Sequence, residues 1–528
     1  MQRAQQLARQ AAQQDTTNYQ AWRMAAETAI AAGEFGACSQ YGRQALALKR
    51  DDVESLYLLG TSLAQRKEFT EAAEHLGRAL KLAPAHWRAS NNLGNVYRET
   101  GRHEEALACY ERVFANPECP PAVLSNILLG LHFHLDGDHQ RQFDMQCAAG
   151  SRIETAAGTR PPPPRRVRGS GKIRIGYFSP RFKPGVIGDF FLPLFDAHDR
   201  ERFELHLFSG LEGSNACSQY LARQSDSWTE TRGLSDQEFA QAVRAREVDI
   251  MVDLAGHTPG NRLGAFALRP AQVQITMLDN FDTSGMTVFD FFVTDHCATP
   301  VDGEQRFTEQ LIRLPGQRLV YRPSDQCPDV APLPALKNRF ITFGSFNRSE
   351  KMTPAVTQLW AGILQRLPEA RLVLKDRAFG NADVSGRFRS VFERLGVESS
   401  RLEFRCWSDH RSMLEEYADI DMALDPFPYN GGLTSCEALW MGVPVLSLLG
   451  SRIISRQSAC IMRSVGLDSF VSLTQRQYAR AAERWANDIE GLANIRRKLR
   501  DATATSPLMN AAAHARELEA NFVAMIQR

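Results

Sequence analysis

Over about its first 120 residues the chain repeats itself every 34 positions, and a period of that length admits few folds. Set at that spacing, Ala4, Cys38, Ala72 and Ala106 fall in one column, Ala11, Ala45 and Ala79 in a second, and Gly42, Leu76 and Tyr110 in a third. Leu59 stands over Leu93 and Gly60 over Gly94. Small residues in a column suit two helices that cross closely, larger ones fill the space between them, and Gly33 and Gly101 mark turns. Helix pairs of this kind bury their apolar faces only against neighbouring pairs, which makes a solenoid. The first copy is expected to open at the second helix of a pair, so that the chain starts mid-repeat and an upstream repeat is either missing or was never there.

These are the columns of tetratricopeptide repeats, an all-α solenoid over residues 1–118. Concave faces of such arrays usually hold a protein segment, and a dimer contact or a cap on the downstream domains is the other use left open. Residues 119–158 read as connecting helices, with Leu124, Ile127, Leu128 and Leu131 on one apolar face. Residues 159–171 hold four prolines and four arginines and form the clearest linker, so a boundary falls there and the repeats are expected to be a module set apart from the rest. His132, His134 and His139 are the densest histidine cluster, without a metal-ligand pattern, and read as a solvated helix end.

Strand and helix patterns then alternate from Ile173 to about Tyr321 and again from about Phe340 to Val471, each run long enough for a doubly wound α/β sheet. The domains are placed at 172–325 and 338–528, with a helical stretch from Gln475 onward inside the second.

Two stretches of the second domain describe an anion site. Residues 425–442, DPFPYNGGLTSCEALWMG, follow an apolar run, break at Pro426 and Pro428, turn at Asn430-Gly431-Gly432 and continue as an amphipathic helix. Glycines let an anion approach the main chain, and the first helical N–H groups and the helix dipole point at it, so a diphosphate fits at Gly432 to Thr434. Glu437, one turn on, is placed to accept hydrogen bonds from ribose hydroxyls. Residues 342–351, TFGSFNRSEK, carry a buried strand and then a loop where a parallel sheet presents its ligands. There Lys351 is suited to neutralise a leaving diphosphate; the alternative is an ordinary loop lysine in water. Asp419-Ile420-Asp421 has the spacing of an acidic metal-binding pair, but Asp421 lies in a strand pattern, and a solvated or capping carboxylate is the better reading.

Composition narrows the function classes. The 528 residues are 43% hydrophobic and 23% charged, enough for two or three domains with cores, and a net charge of +1 argues against a general nucleic-acid binder. No apolar stretch reaches membrane-spanning length and MQRAQQLARQAAQQ lacks a signal core, which leads to the expectation of a cytoplasmic protein without a membrane partner. Ten cysteines without a CxxC pair fit buried reduced thiols rather than disulfides or structural zinc.

From about Lys172 onward the chain resembles the catalytic region of the protein O-GlcNAc transferase and SPINDLY family of glycosyltransferases. The resemblance rests on IRIGYFSPRF (173–182), DIMVDLAGHTPGNRLGAFALRPAQVQ (249–274), GSFNRSEKMTP (344–354), RLVLK (371–375) and the 425–442 block, and it is closer to SPINDLY-like and bacterial members than to the animal enzyme. It implies a GT-B fold of two Rossmann-like domains, helices at the C-terminus that pack back across both, and a transfer that needs no metal or other cofactor. Lys351 matches the lysine that contacts the donor diphosphate, Thr434 a threonine of the phosphate loop, and Glu437 the acidic residue that holds the ribose. The donor-binding set so implied is Asn347, Arg348, Lys351, Ser408, His410, Asn430, Gly431, Gly432, Leu433, Thr434 and Glu437. Gly432 and Leu433 stand where the animal enzyme has a histidine and a threonine, and Arg348 replaces a common neutral residue. Gly185 and Asp189 stand where many members carry histidines, Arg246 where a proposed proton acceptor stands, and Met413 where a base-contacting histidine does, with His410 one turn earlier. Asp279, Phe281 and Asp282 replace small residues or proline in the loop LDNFDTSG.

An inverting transfer needs the acceptor oxygen in line with the leaving diphosphate, a group to take its proton and stabilisation of the leaving charge. For the proton the sequence offers His257, at the end of the strand Ile250 to Leu254, together with Asp189 and Asp279. The expected activity is transfer from UDP-GlcNAc to Ser or Thr of a protein recognised by the repeats. GDP-fucose, as in SPINDLY-type members, or a CMP-nonulosonic acid moved to flagellin are the alternative donors, and a non-catalytic repeat adaptor is the alternative class. A homo-oligomer stays possible.

Overall fold

The computed structural model describes residues 2–133, 138–158, 160–163 and 171–527, so His134 and the linker positions 159 and 164–170 lie outside the described residues. The chain divides into two compact units: Met1–His134 with Arg348–Pro354 and Asp376–Val391, and Leu135–Asn347 with Ala355–Lys375 and Phe392–Arg528.

The first unit holds the repeats. Helices Tyr19–Ala31 and Phe35–Leu48, Val53–Gln65 and Phe69–Leu82, and Trp87–Glu99 and His103–Phe114 form pairs, preceded by Gln2–Gln14 and followed by Pro121–Leu131. The glycine columns are steric: a Cβ on Gly60 would lie 2.7 Å from Leu76 Cγ and one on Gly94 2.8 Å from Tyr110 Cε1. At the turns, Gly33, Lys67 and Gly101 share one column and a left-handed backbone, with φ of 76°, 66° and 70°. Lys67 holds that conformation without being glycine; its Nζ lies 2.6 Å from Glu99, and its carbonyl accepts from Asn381 Nδ2 at 2.6 Å.

Segments 348–354 and 376–391 belong to this unit together with the repeats. Thr70 Oγ1 donates to Asp383 at 3.0 Å, and Arg387 donates to the Gly101 carbonyl at 3.2 Å. Contacts between segments so distant along the chain leave no periodic trace in it. His132 is buried, and His139 Nε2 lies 3.2 Å from Glu304, so neither is the solvated residue expected.

The second unit holds two parallel sheets. The first contains β1 (Ile173–Ser179), β2 (Phe203–Ser209), β3 (Ser227–Glu230), β4 (Ile250–Asp253), β5 (Val273–Thr276), β6 (Phe291–Asp295) and β7 (Gln310–Leu314), in the order β3-β2-β1-β4-β5-β6-β7. The second contains β8 (Thr342–Ser345), β9 (Arg371–Lys375), β10 (Leu402–Arg405), β11 (Met422–Leu424), β12 (Val445–Leu448) and β13 (Val471–Ser472), in the order β10-β9-β8-β11-β12-β13. Strand order reverses at β1/β4 and at β8/β11, and open α/β sheets bind ligands outside the carboxyl ends of such strands. Under the first sheet Phe178 packs edge-on against Phe239, their ring centroids 5.4 Å apart.

The helix Ala511–Gln527 returns to the first sheet's domain, where Glu519 Oε1 lies 2.8 Å from His198 Nδ1 and accepts from the Asp199 N–H at 2.8 Å. Arg496, in the helix Ile489–Ala504, is buried and donates to the carbonyls of Ala331 and Ile420 at 2.6 Å each. Asp421 is buried rather than solvated: it accepts from the N–H groups of Ala335 and Thr342 at 2.8 Å each, and burial pushes its pKa up to about 6. Cys297, just past β6, and Cys460, in the helix Ile453–Ser464, form a disulfide. That corrects the expectation of reduced thiols throughout; the partners are 163 residues apart and only folding brings them together. Asp295 lies beside them, in the one grouping of metal-ligating side chains found among the described residues, but both sulfurs are spent on each other. Among the described residues no helix is long and apolar enough to cross a membrane.

Candidate active site

Beyond β11 the loop is braced by its own side chains. Asp425 Oδ1 accepts from the Gly431 N–H at 2.7 Å, and the buried Asn430 amide donates to the Pro426 carbonyl at 3.0 Å. A Cβ on Gly431 would lie 2.6 Å from Ser435 Oγ, and one on Gly432 2.5 Å from Gln457 Nε2, so a side chain at either position would make a neighbour shift. The helix Leu433–Trp440 starts at Gly432, and among the described residues no side chain caps its N-terminus. The first N–H groups of such a helix have no intrahelical partner and their dipoles favour an anion. Thr434 Oγ1 donates to Asn347 Oδ1 at 3.2 Å, tying this helix to the chain just past β8, and the Thr434 carbonyl accepts from Tyr417 at 3.2 Å. Leu433 is half-buried at the helix start.

Glu437 is buried and accepts from His410 Nε2–H at 2.8 Å; His410 opens the helix His410–Glu415, which Asp409 caps through the Ser412 N–H. Burial raises the Glu437 pKa, and the bond to Glu437 raises that of His410, so both shifts keep a proton within the pair. Asp189 stands in the other sheet's domain and feels the charges of both residues. It stands in the first turn of the helix Val186–Ala197, behind Gly185 at φ 108°. Burial first, and then the Glu437 charge, push its pKa up to about 7, while His410 pulls it down.

The other two proton-acceptor candidates are differently engaged. His257 is buried, its Nε2–H donates to the Ser284 carbonyl at 3.0 Å, and burial lowers its pKa to about 4, so it is a neutral donor. Asp279 is paired with Arg181, which also donates to Thr258 Oγ1 at 3.0 Å. Ser408 Oγ donates to Glu416 at 2.8 Å, beside the Lys375–Glu416 pair at 2.7 Å. Arg348 and Lys351 belong to the unit of the repeats: the Arg348 guanidinium lies 5.8 Å from the Phe133 ring centroid, and Lys351 is buried in the turn Ser349–Lys351 rather than lying in water. Sequence reading missed Asp425, Tyr417 and Arg181. Only Asp425 left a signal, as the first polar residue after its strand.

The profile described as Glycosyl transferase family 41 matches residues 161–321 and 333–518, and one described as Tetratricopeptide repeat matches 57–121. The probable UDP-N-acetylglucosamine–peptide N-acetylglucosaminyltransferase SPINDLY of Petunia hybrida is 35% identical over 363 residues, 68% of this chain and 39% of that protein. The Arabidopsis thaliana protein of the same description is 36% identical over 356 residues, 66% of this chain and 39% of its own length. The chain thus spans about two fifths of the length of these curated relatives. Among solved structures, a lysine-to-methionine mutant of the O-GlcNAc transferase of Thermobaculum terrenum superposes with a TM-score of 0.86 at 33% identity, covering 96% of this chain and 97% of that one.

Proposed function

This chain belongs to glycosyl transferase family 41, with a GT-B fold behind tetratricopeptide repeats, and we propose that it transfers N-acetylglucosamine from UDP-N-acetylglucosamine to Ser or Thr of a protein held by the repeats. The observation that carries this reading is the uncapped N-terminus of the helix Leu433–Trp440 with the buried His410–Glu437 pair one turn along it; burial and then the Glu437 charge push the Asp189 pKa up to about 7. The acceptor oxygen attacks the anomeric carbon as the bond to the diphosphate breaks, which inverts that carbon. Its proton goes to Asp189, and the bonding electrons leave with UDP. The helix N-terminus and Thr434 receive the diphosphate, Glu437 with His410 holds the ribose, and Lys351 neutralises the leaving charge. The two plant relatives are described as probable UDP-N-acetylglucosamine–peptide transferases, which supports UDP-GlcNAc as donor. With the charge met in this way no divalent ion is needed, and turnover should survive a chelator.

The test is thermal stabilisation by UDP, GDP and CMP, since a ligand that binds only the folded state raises its melting temperature. UDP should stabilise most. Stabilisation by CMP alone points to a nonulosonic acid donor, by GDP alone to fucose, and no response at all to a binding adaptor. Lys351→Ala should lower turnover by about a hundredfold, the scale of one lost preorganised contact to a developing charge.

A further inference from the structure

Glu350 directly precedes the lysine assigned to the leaving phosphate, and its side chain is only 13% exposed. Across from it, equally buried, lies Arg98 of the repeat helix Trp87–Glu99, with Nε 3.7 Å from Oε1. Arg348 reaches the same carboxylate from within the turn, Nη1 lying 3.5 Å from Oε2. Arg98 is itself held by the repeats: Nη1 donates to Tyr110 Oη at 3.2 Å, and the guanidinium stands 5.9 Å from the Phe133 ring centroid. Tyr110 Oη in turn donates to Asn95 Oδ1 at 2.8 Å, and that oxygen also accepts from Asn126 Nδ2 at 3.1 Å. On the far side of the turn, the Ser349 N–H donates to Asp376 at 2.7 Å.

Burial opposes the charge on Glu350, but Arg98 and then Arg348 outweigh it and hold the carboxyl below the usual range. A buried carboxylate is costly unless it is paired, so a turn that carries one is fixed wherever its partner is fixed. A lysine on a free loop would instead give up much of its rotational freedom each time it met an anion.

We infer that Arg98 and Glu350 are a positioning pair, through which the repeat helix Trp87–Glu99 fixes the turn Ser349–Lys351 and so sets the lysine that acts on the leaving phosphate. The repeats then govern the chemical step as well as the choice of acceptor. This rests on the role given to Lys351 above.

The experiment uses the full chain, with UDP release from UDP-N-acetylglucosamine to water as the rate, and UDP and UMP as binding probes. Arg98→Met should lower kcat by about tenfold, within the roughly hundredfold that a misplaced group can cost, and weaken UDP while leaving UMP, which lacks the second phosphate, unchanged. Arg98→Lys should restore most of the rate. In a Lys351→Ala background Arg98→Met should cost nothing further, because the group it positions is gone. Full additivity of the two changes, or equal weakening of UMP and UDP, overturns the inference. If Arg98→Met does not accumulate as folded protein, Glu350→Gln is read instead, and a parent rate there overturns it equally. A Lys351→Ala chain with the parent rate removes the role of the lysine itself, whereas loss there with none in Arg98→Met removes only the pairing.

Discussion

The two parallel sheets share a strand order and present different groups at their carboxyl ends. At the carboxyl end of β11 the chain presents main-chain groups: a glycine turn, braced by Asp425 and Asn430 from below, and a helix start without a side-chain cap. At the carboxyl ends of β1, β4 and β5 it presents titratable side chains, and two of the three candidates are engaged elsewhere, His257 with the Ser284 carbonyl and Asp279 with Arg181. An anion of fixed shape is met well by backbone dipoles that cost no reorganisation. Proton transfer needs a group whose pKa lies near the working pH, and burial with neighbouring charge produces that at Asp189.

The sharpest way to break this contrast is Asp189→Asn. Steady-state transfer should fall by about a hundredfold, within the range of general-base contributions, while UDP affinity measured by calorimetry stays put. Transfer at the parent rate would place the proton acceptor elsewhere. Next comes the pH profile. Because the carboxylate is the active form and its pKa is raised to about 7, the rate should climb about tenfold per unit below that value and level off above it, a rise that the asparagine variant loses.

Glu437→Gln joins the two halves. It should weaken UDP by roughly tenfold, as ribose contacts persist from ground state to transition state. Removing its negative charge also lowers the Asp189 pKa, so the rising limb of the profile should move to lower pH. An unmoved limb would show that burial alone tunes Asp189. Gly431→Ala probes the backbone half: its Cβ would meet Ser435 Oγ at 2.6 Å, and a stability loss of about 1–3 kcal/mol should appear in urea unfolding. The smallest effect is expected from His257→Gln. The amide can still donate to Ser284, so kcat should stay within about twofold; a large loss would return His257 to the list of acid–base groups.

How much of this was legible depends on the range of each interaction. The turn at Asn430 to Gly432 and the helix after it are written in consecutive residues, and the repeat columns recur at a constant spacing, so both can be read along the chain. Asp189, His410 and Glu437 were each readable as candidates, but the electrostatic coupling among them was not, since Asp189 stands in another sheet's domain. That burial lowers the His257 pKa against the opposing hydrogen bond to Ser284, and that Asp279 pairs with Arg181, depended on neighbours that no motif includes.

Near neighbours along the chain set the local order: a periodic solenoid, two runs of alternating strand and helix, and a glycine turn before a helix, because backbone preference and apolar periodicity act over short separations. Tertiary structure alone decided that the turn of Lys351 belongs to the unit of the repeats through Arg98 and Glu350, that Cys297 meets Cys460, and that Asp189 lies within the field of Glu437. Burial and charge depend on what surrounds a side chain in space, and those surroundings exist only once distant segments have packed.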